Sequence, residues 1–184
     1  MVKPDIWIRK MSLDHGMIEP FAEGISRPGK ISYGLSSYGY DMRISKEFKI
    51  FNGSGLIDPK TLTDGQFSNV TCDVLEMKPQ SAALAQSVEY FRIPRDVITV
   101  TYGKSTYARC GVVVNVTPFE PEWEGFVTIS LINTNSYPVR VYSGEGIAQV
   151  LFIGGDGLCE KSYADKKGKY QAQKKITLAK VDKK

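Results

Sequence analysis

The chain has 184 residues, of which 42% are apolar, and its formal net charge is +4. This length and apolar content suit one domain with a proper hydrophobic core, and 17 glycines with nine prolines favour a β-rich fold over a helical bundle. The charge is uneven, because eight lysines and two aspartates in residues 165–184 give the tail +6 and leave −2 on the rest. General nucleic-acid binding is disfavoured, because the body has no basic stripe with interleaved aromatic residues. The tail alone is open to three interpretations: a solvated segment, a nucleic-acid contact, or a segment that closes over a bound triphosphate.

The cysteine count bears on the compartment. Cys72, Cys110 and Cys159 are odd in number and widely spaced, so we expect a reducing cytoplasm and no disulfide framework. The sequence shows neither a leader with a basic start and an apolar core nor a run of 18 apolar residues. We therefore expect a soluble cytoplasmic protein with no membrane partner.

The first predicted element is a short helix, which Asp5 caps and Gly16 ends. Its apolar residues are expected to share one buried face: Ile6, Trp7, Ile8, Met11 and Leu13. Residues 20–30 are predicted to form a loop, and the glycine- and tyrosine-rich residues 32–43 a second loop that enters a strand.

The middle of the chain is predicted to consist of short strands. Turn signals such as Pro79 and Pro94 separate them. The predicted strands are residues 48–51, 71–77, 82–87 and 97–102. Strands at intervals of roughly ten residues are typical of a sandwich or barrel.

The central stretch of the chain runs from Lys104 to Asn133 and begins with a polar segment. Two β-branched strands flank a turn rich in Pro, Glu and Gly, and residues 104–109 bring a lysine, two hydroxyls and an arginine ahead of the first strand. Arg109 offers a planar fork of donors suited to phosphate, and Gly111 allows another backbone to come close. Such a polar segment has no packing reason, so it predicts a binding site.

Two further strands are predicted after this stretch, at residues 139–142 and 147–153. The second strand is apolar except for Gln149. A buried amide needs a hydrogen-bond partner. Gln149 is therefore expected either to satisfy a neighbouring backbone group or to reach a ligand.

Two motifs carry a resemblance to a known family. Lys-Ser-Thr-Tyr-Ala-Arg at residues 104–109 and Val-Asn-Val-Thr-Pro-Phe-Glu-Pro-Glu-Trp-Glu-Gly at residues 114–125 resemble dCTP deaminases, members of the trimeric dUTPase-like superfamily. The similarity extends over nearly the whole chain, through residues 7–19, 32–43, 88–94, 145–152 and 162–173. It implies a mainly β, distorted β-barrel or jelly-roll-like fold of the dUTPase type with a short N-terminal helix. It also implies a single domain, 1–184, with residues 162–184 as a C-terminal lid.

The resemblance implies an activity and its partners. A dCTP deaminase converts dCTP and water to dUTP and ammonia, and thereby supplies dUMP and dTTP synthesis. The family is homotrimeric with sites between subunits, Mg²⁺ is expected on the substrate triphosphate, and dTTP is a possible inhibitor. No zinc is expected, because His15 is the only histidine and the sequence has neither His-x-Glu nor Pro-Cys-x-x-Cys.

The resemblance also implies roles for individual residues. Ser105 would hold the reacting water or amine, Arg109 would stabilise the site, and the backbone of Thr128 and Ile129 would read the pyrimidine. Glu120 would lie near the sugar, and the tail residues would close over the nucleotide. The implied substrate-binding residues are Lys104, Ser105, Thr106, Tyr107, Ala108, Arg109, Glu120, Thr128, Ile129, Ser130, Gln149, Tyr163, Lys169 and Gln173.

One position departs from the family pattern. The family's proton-shuttling glutamate stands seven residues past the motif tryptophan, and counting from Trp123 gives Ser130. A serine hydroxyl is too weakly acidic to act as a base at neutral pH without help. Three interpretations stay open: another carboxylate, Glu120, Glu122 or Glu124, replaces it; the chain binds nucleotides without turnover; or Ser130 is a variant in an ordinary deaminase.

Two alternative functions follow from the same residues. In a dUTP diphosphatase, or a bifunctional enzyme, an acidic residue near Glu120 would direct water at the α-phosphate. In a catalytically impaired nucleotide-binding protein, dCTP or dTTP would bind without turnover. Ammonia, pyrophosphate or neither product separates the three.

Overall fold

The computed structural model describes residues 1–53 and 55–181. Residues 182–184, the end of the predicted lid, lie outside the described residues. The helices are α1, Asp5–His15, and α2, Ser105–Ala108, and a short 3-10 turn spans Asp64–Gln66. The strands are β1 Ile18–Glu19, β2 Gly34–Ser36, β3 Gly39–Phe51, β4 Phe67–Thr71, β5 Val74–Met77, β6 Ala82–Arg92, β7 Val97–Gly103, β8 Val112–Asn115, β9 Glu124–Asn133, β10 Val139–Tyr142 and β11 Gly146–Gly154.

Most strands belong to one antiparallel sheet with the order β7-β11-β3-β6-β9-β8. Strands β2 and β4 pair with β3, β1 pairs with β6, and β10 with β5 form a separate two-stranded sheet. The ends of the large sheet curl toward each other. Strands β7 and β8 come so close that a Cβ built on Gly103 of β7 would lie 3.1 Å from Val114 Cβ of β8. The predicted class, a mainly β, barrel-like fold with a short N-terminal helix, is confirmed.

The core lies inside the curved sheet. Along β9 the residues alternate between buried and half-buried, with Val127, Ile129 and Leu131 turned inward. This alternation follows from the two-residue period of a strand. It leaves the opposite face of β9, which includes Thr128 and Ser130, available for a ligand.

Helix α1 buries fewer apolar side chains than its sequence predicts. It ends at Gly16 as predicted, but Pro4 precedes it as the N-cap and Asp5 is its first residue, whose carboxylate accepts a bond from the Ile6 amide. Ile8 is fully buried, whereas Ile6 and Leu13 are 73% and 66% exposed. The predicted single apolar face is therefore wrong, because the apolar spacing carries Ile6 and Leu13 away from the sheet.

The predicted strand at residues 71–77 is also wrong as one element. Strand β4 ends at Thr71 and pairs with β3, and β5 begins at Val74 and pairs with β10. Cys72 and Asp73 separate them, and the Asp73 carbonyl accepts the Ser143 amide at 2.9 Å. Local propensity does not reveal that consecutive residues join different sheets.

One buried ion pair fixes the start of the long strand β3. Glu89 is fully buried, and its carboxylate accepts bonds from Arg43 Nε at 2.6 Å and from the Arg43 amide at 2.9 Å. The Tyr40 hydroxyl donates to the same carboxylate at 3.3 Å. Burial raises the pKa of Glu89, although the Arg43 charge acts against this shift.

Candidate active site

A cavity of 770 Å³ lies between three parts of the chain. They are the Pro-Glu turn (residues 117–123), the outer face of β9, and the C-terminal segment (residues 160–181). Five of the residues predicted to contact substrate line it: Glu120, Thr128, Tyr163, Lys169 and Gln173. They come from three separate parts of the sequence, so the fold brings them together. The size suits a drug-sized or nucleotide-sized ligand.

Aromatic residues that the sequence analysis did not assign to the site form one wall of this cavity. Phe119 and Trp123 lie with ring centroids 4.9 Å apart and planes tilted by 30°, and Tyr170 also lines the cavity. Trp123 Nε1 donates to the Tyr170 carbonyl at 2.9 Å. The available signal was two bulky aromatic residues inside an otherwise polar Pro-Glu turn.

The C-terminal segment packs against this turn and against β9. The Tyr163 amide donates to the Pro121 carbonyl at 2.9 Å, and the Phe126 amide donates to the Gln173 carbonyl at 3.0 Å. Gln173 Nε2 donates to the Phe126 carbonyl at 2.6 Å. The segment therefore adds to the edge of β9 through its backbone and one amide side chain.

The position of Thr128 on the sheet edge has a chemical consequence. The ladder of β8 with β9 stops at the pair Asn115 and Ser130, so Thr128 lies beyond the last paired residue on that side. Phe126 bonds Gln173 along this edge, and amide directions alternate along a strand, so the Thr128 backbone groups face the same edge. Such groups can read the polar edge of a planar ring.

Ile129 and Ser130 occupy different surroundings. The Ile129 side chain is fully buried on the core face, so a ligand contact by this residue would involve its backbone and stays a prediction. Ser130 is half-buried on the same face as Thr128, opposite Asn115 of β8 and Leu84 of β6. Ser130 is not one of the residues that line the cavity.

The motif at residues 104–109 forms α2, a helix that the sequence analysis did not predict. Ser105, Thr106 and Arg109 are exposed on it, and Arg109 Nη1 donates back to the Ser105 carbonyl at 3.0 Å. The next turn depends on Gly111, which has φ 69°, because a Cβ there would lie 2.5 Å from Asn135 Nδ2. The predicted close approach at Gly111 is therefore to the side chain of Asn135, and the Thr134 amide donates to the Gly111 carbonyl.

The other residues of this motif make contacts within the protein itself. Lys104 Nζ is paired with the Asp41 carboxylate, and both side chains are mostly buried. Tyr107 is buried, its hydroxyl accepts the Tyr142 amide at 2.9 Å, and burial raises the pKa of Tyr107 to about 12. Ala108 is exposed and its amide donates to the Lys104 carbonyl. None of residues 104–109 lines the cavity.

Gln149 has a protein partner in this structure. Its Nε2 donates to Ser36 Oγ at 3.1 Å, and the residue lies opposite Tyr102 of β7 and Asp41 of β3. The partner is a side chain, which neither of the two predicted alternatives named. Contact with a ligand stays a prediction.

The three glutamates of the turn differ in their partners. Glu122 is paired with Arg95 at 2.7 Å, and Glu124 lies beside Arg92 at the strand edge. Glu120 lines the cavity, and its carboxylate lies 3.2 Å from Lys166 Nζ. Among the candidate replacements for the missing glutamate, the geometry favours Glu120.

Comparison with known proteins decides the family. A family model described as dCTP deaminase-like matches residues 2–155. The chain belongs to the dCTP deaminase-like family. A dCTP deaminase of Chlamydia abortus is 60% identical over 185 residues, covering 96% of this chain and 97% of that protein. A dCTP deaminase of Acidobacterium capsulatum is 59% identical over 182 residues and covers 98% and 99% of the two chains.

A solved structure supports the same fold for this member of the dCTP deaminase-like family. The 2′-deoxycytidine 5′-triphosphate deaminase of Agrobacterium tumefaciens aligns with a TM-score of 0.65 at 14% sequence identity. The alignment covers 84% of this chain and 48% of that one. At this identity the comparison bears on fold alone, and it agrees with the barrel-like sheet.

Residues 1–53 and 55–181 contain no group of three His, Cys, Asp or Glu side chains arranged to hold a metal ion. No helix in that part of the chain is long and apolar enough to cross a membrane.

Proposed function

We propose that the chain catalyses the hydrolytic deamination of dCTP to dUTP and ammonia, which supplies dUMP and dTTP synthesis. The observation that carries this proposal is the match to dCTP deaminases at about 60% identity over nearly the whole of both chains. The cavity supports the proposal, because five of the substrate-binding residues that the family motifs imply line this one cavity. The aromatic wall suits a planar base, and Lys169 suits a phosphate.

The reaction requires water to attack C4 of cytosine and a proton to reach the departing nitrogen. A positioned carboxylate can accept a proton from water and deliver it to that nitrogen. Ser130 has no carboxylate, so we assign the task to Glu120, the turn glutamate that lines the cavity. The backbone of Thr128, at the open edge of β9, would hold the pyrimidine during this transfer.

We propose that the working enzyme is a homotrimer with sites between subunits. The support is the separation of two groups of residues: Ser105, Thr106 and Arg109 are exposed on α2, whereas the cavity is lined by the turn, β9 and the tail. Hydroxyls and a guanidinium suit phosphate oxygens. A neighbouring copy that presents its α2 to this cavity would complete the site.

The remaining partners are also proposals. Mg²⁺ would enter on the triphosphate and neutralise part of its charge, since Mg²⁺ keeps most of its water and needs few protein ligands. dTTP, a related pyrimidine triphosphate, would compete for the same cavity. The three cysteines are free thiols, which supports a reducing cytoplasm as the compartment.

The test is to incubate purified protein with dCTP and MgCl₂ and to measure ammonia, dUTP and pyrophosphate separately. We expect ammonia and dUTP in equal amounts. No ammonia from dCTP, together with dUMP and pyrophosphate from a parallel incubation with dUTP, would instead identify a diphosphatase. Saturable dCTP binding with no product would identify a nucleotide-binding protein, and either result would contradict the proposal.

A further inference from the structure

Arg95 joins two parts of the cavity wall that are distant in sequence. Its Nη1 donates to Glu122 Oε2 at 2.7 Å, and its Nη2 donates to Asp165 Oδ2 at 2.7 Å. The same Nη2 donates to the Glu160 carbonyl at 3.2 Å. One planar guanidinium therefore bonds both the Pro-Glu turn and the start of the C-terminal segment, a geometry that a lysine cannot reproduce.

Each end of this contact is fixed in turn by backbone bonds. On the turn side, the Glu122 amide donates to the Ile93 carbonyl at 3.0 Å, and Glu122 adopts φ 61°. On the segment side, the Ser162 amide donates to Asp165 Oδ2 at 3.0 Å, and the Asp165 amide donates to Ser162 Oγ at 3.2 Å. The Ser162 amide and Arg95 together hold the pKa of Asp165 below its usual range, so its carboxylate stays charged.

The two joined parts carry the cavity residues. Glu120 and Trp123 flank Glu122 on the turn, and Tyr163 lies between Ser162 and Asp165. Arg95 itself does not line the cavity. Its contacts therefore bear on where the cavity walls stand relative to each other, and not on the ligand directly.

We propose that Arg95 is a positioning residue that holds the C-terminal segment closed against the turn and so determines nucleotide affinity. The inference rests on the proposed function for its kinetic part, since it takes dCTP as the nucleotide. Without Arg95, the segment opens more often, and each binding event must first bring Tyr163 and Lys169 back to the cavity. The loss therefore falls on KM, whereas the chemistry of the closed complex is unchanged.

The first experiment needs no nucleotide. Trypsin cleaves after lysine, and Lys166, Lys167, Lys169, Lys174 and Lys175 lie in the segment. Cleavage of a locally opened segment follows the population of its open form. We expect Arg95→Gln to raise the cleavage rate in this segment about five- to tenfold, the range for losing two partly exposed charged bonds, and Asp165→Asn to give a smaller rise.

The second experiment measures steady-state kinetics with dCTP. We expect Arg95→Gln to raise KM about five- to tenfold with kcat near the wild-type value. Arg95→Lys can keep one carboxylate partner, so its KM should lie between those of wild type and Arg95→Gln. Arg140→Gln is the matched control, because Arg140 pairs with Glu76 on the separate β5–β10 sheet. That variant should change neither the trypsin cleavage nor KM.

The outcomes separate this inference from the proposed function. Unchanged trypsin cleavage in Arg95→Gln, or a fall in kcat at unchanged KM, would overturn the positioning role even if dCTP is deaminated. If wild-type protein produces no ammonia from dCTP, the proposed function fails. The trypsin comparison and the dCTP dissociation constant measured by calorimetry would then still decide the role of Arg95.

Discussion

At the scale of single residues, the question is which side chain can transfer the proton, because the strand position that carries a glutamate in the family carries Ser130 here. Ser130 stands on the same face of β9 as Thr128, but its hydroxyl is a poor base at neutral pH. Glu120 lies across the cavity on the turn, with Lys166 at 3.2 Å. Without a carboxylate at position 130, the proposed proton transfer falls to Glu120, which lies on the turn and not on strand β9.

Ser130→Glu is the first prediction. We expect this substitution to raise the deamination rate by about 10²–10⁴-fold, the usual contribution of a positioned general base. Ammonia release from dCTP measures it. Ser130→Gln is the control, since it has the same length without an ionisable carboxyl, and an equal gain in that variant would exclude general-base catalysis at this position. If wild-type protein is already fast, Glu120→Gln should remove the activity.

Arg43→Met is the second prediction, and it concerns stability. It leaves the Glu89 carboxylate buried without a cation, so we expect a loss of about 3–5 kcal/mol in unfolding free energy at pH 8. Burial raises the pKa of Glu89 whereas the Arg43 charge lowers it, so removing Arg43 raises this pKa further in the folded variant. The folded variant therefore holds this proton to a higher pH than the folded wild type does, and the cost of the substitution should grow as pH rises from the folded wild-type pKa of Glu89 to that of the variant.

Urea unfolding at pH 5 and pH 8 measures this second prediction. The double variant Arg43→Met with Glu89→Gln is the control, because it removes the charge that the single variant leaves unpaired. It should recover most of the stability at pH 8 and show little pH dependence between the two values. A single-variant cost that is equal at both pH values would contradict the assigned charge state.

At the scale of elements, the edge of β9 is shared between the tail and the site. The C-terminal segment reaches this edge beside Gly125, which has φ 148°, and a Cβ there would lie 3.0 Å from Gln173 Cγ and 3.1 Å from the Gln173 amide nitrogen. The Thr177 amide also donates to Thr128 Oγ1 at 3.1 Å. Tail docking and the position of Thr128 are therefore coupled through a few atoms.

Gly125→Ala is the third prediction. We expect it to cost about 1–3 kcal/mol of unfolding free energy, because only glycine adopts this φ without strain, and to expose the tail to trypsin at Lys174. Gly144→Ala is the control, since Gly144 has φ 75° but a Cβ there meets nothing within 4 Å. That control should lose stability without any change in tail cleavage. Equal cleavage of both variants would show that the tail does not dock through Gly125.

At the scale of the whole molecule, the phosphate-suited residues and the cavity belong to different parts of the surface. The exposed hydroxyls and guanidinium of α2 do not line the cavity formed by the turn, β9 and the tail. In a symmetric trimer the α2 of one copy can meet the cavity of the next. The complete site is then a property of the assembly.

Complementation between inactive variants is the fourth prediction. We expect Arg109→Ala and Glu120→Ala, each made in the wild-type chain, to be nearly inactive alone. Refolded together in equal amounts, they should recover about one quarter of the activity, because random mixing leaves that share of sites with both halves intact. Activity that stays near zero after verified mixing would place both residues in one subunit's site. Sedimentation of the 20.5-kDa chain as a trimer is the accompanying measurement.

The sequence by itself determined the fold class and the family, and it named five of the residues that line the cavity. The alternation of buried residues along strands such as β9 and the Pro-Glu motif are both local features, so the sequence alone shows them. The sequence also predicts substrate contacts for five residues that line the cavity: Glu120, Thr128, Tyr163, Lys169 and Gln173. The family motifs, and not the periodicity, supplied those five residues.

The tertiary structure alone decided which residues meet. It separated residues 71–77 into two sheets, exposed Ile6 and Leu13, and paired Lys104 with Asp41. It also added Phe119 and Trp123 to the cavity and joined Glu122 to Asp165 through Arg95. Contacts of this kind join residues that are far apart in the sequence and depend on how the strands curl toward each other. A local pattern of polar and apolar residues does not specify which distant residues will meet.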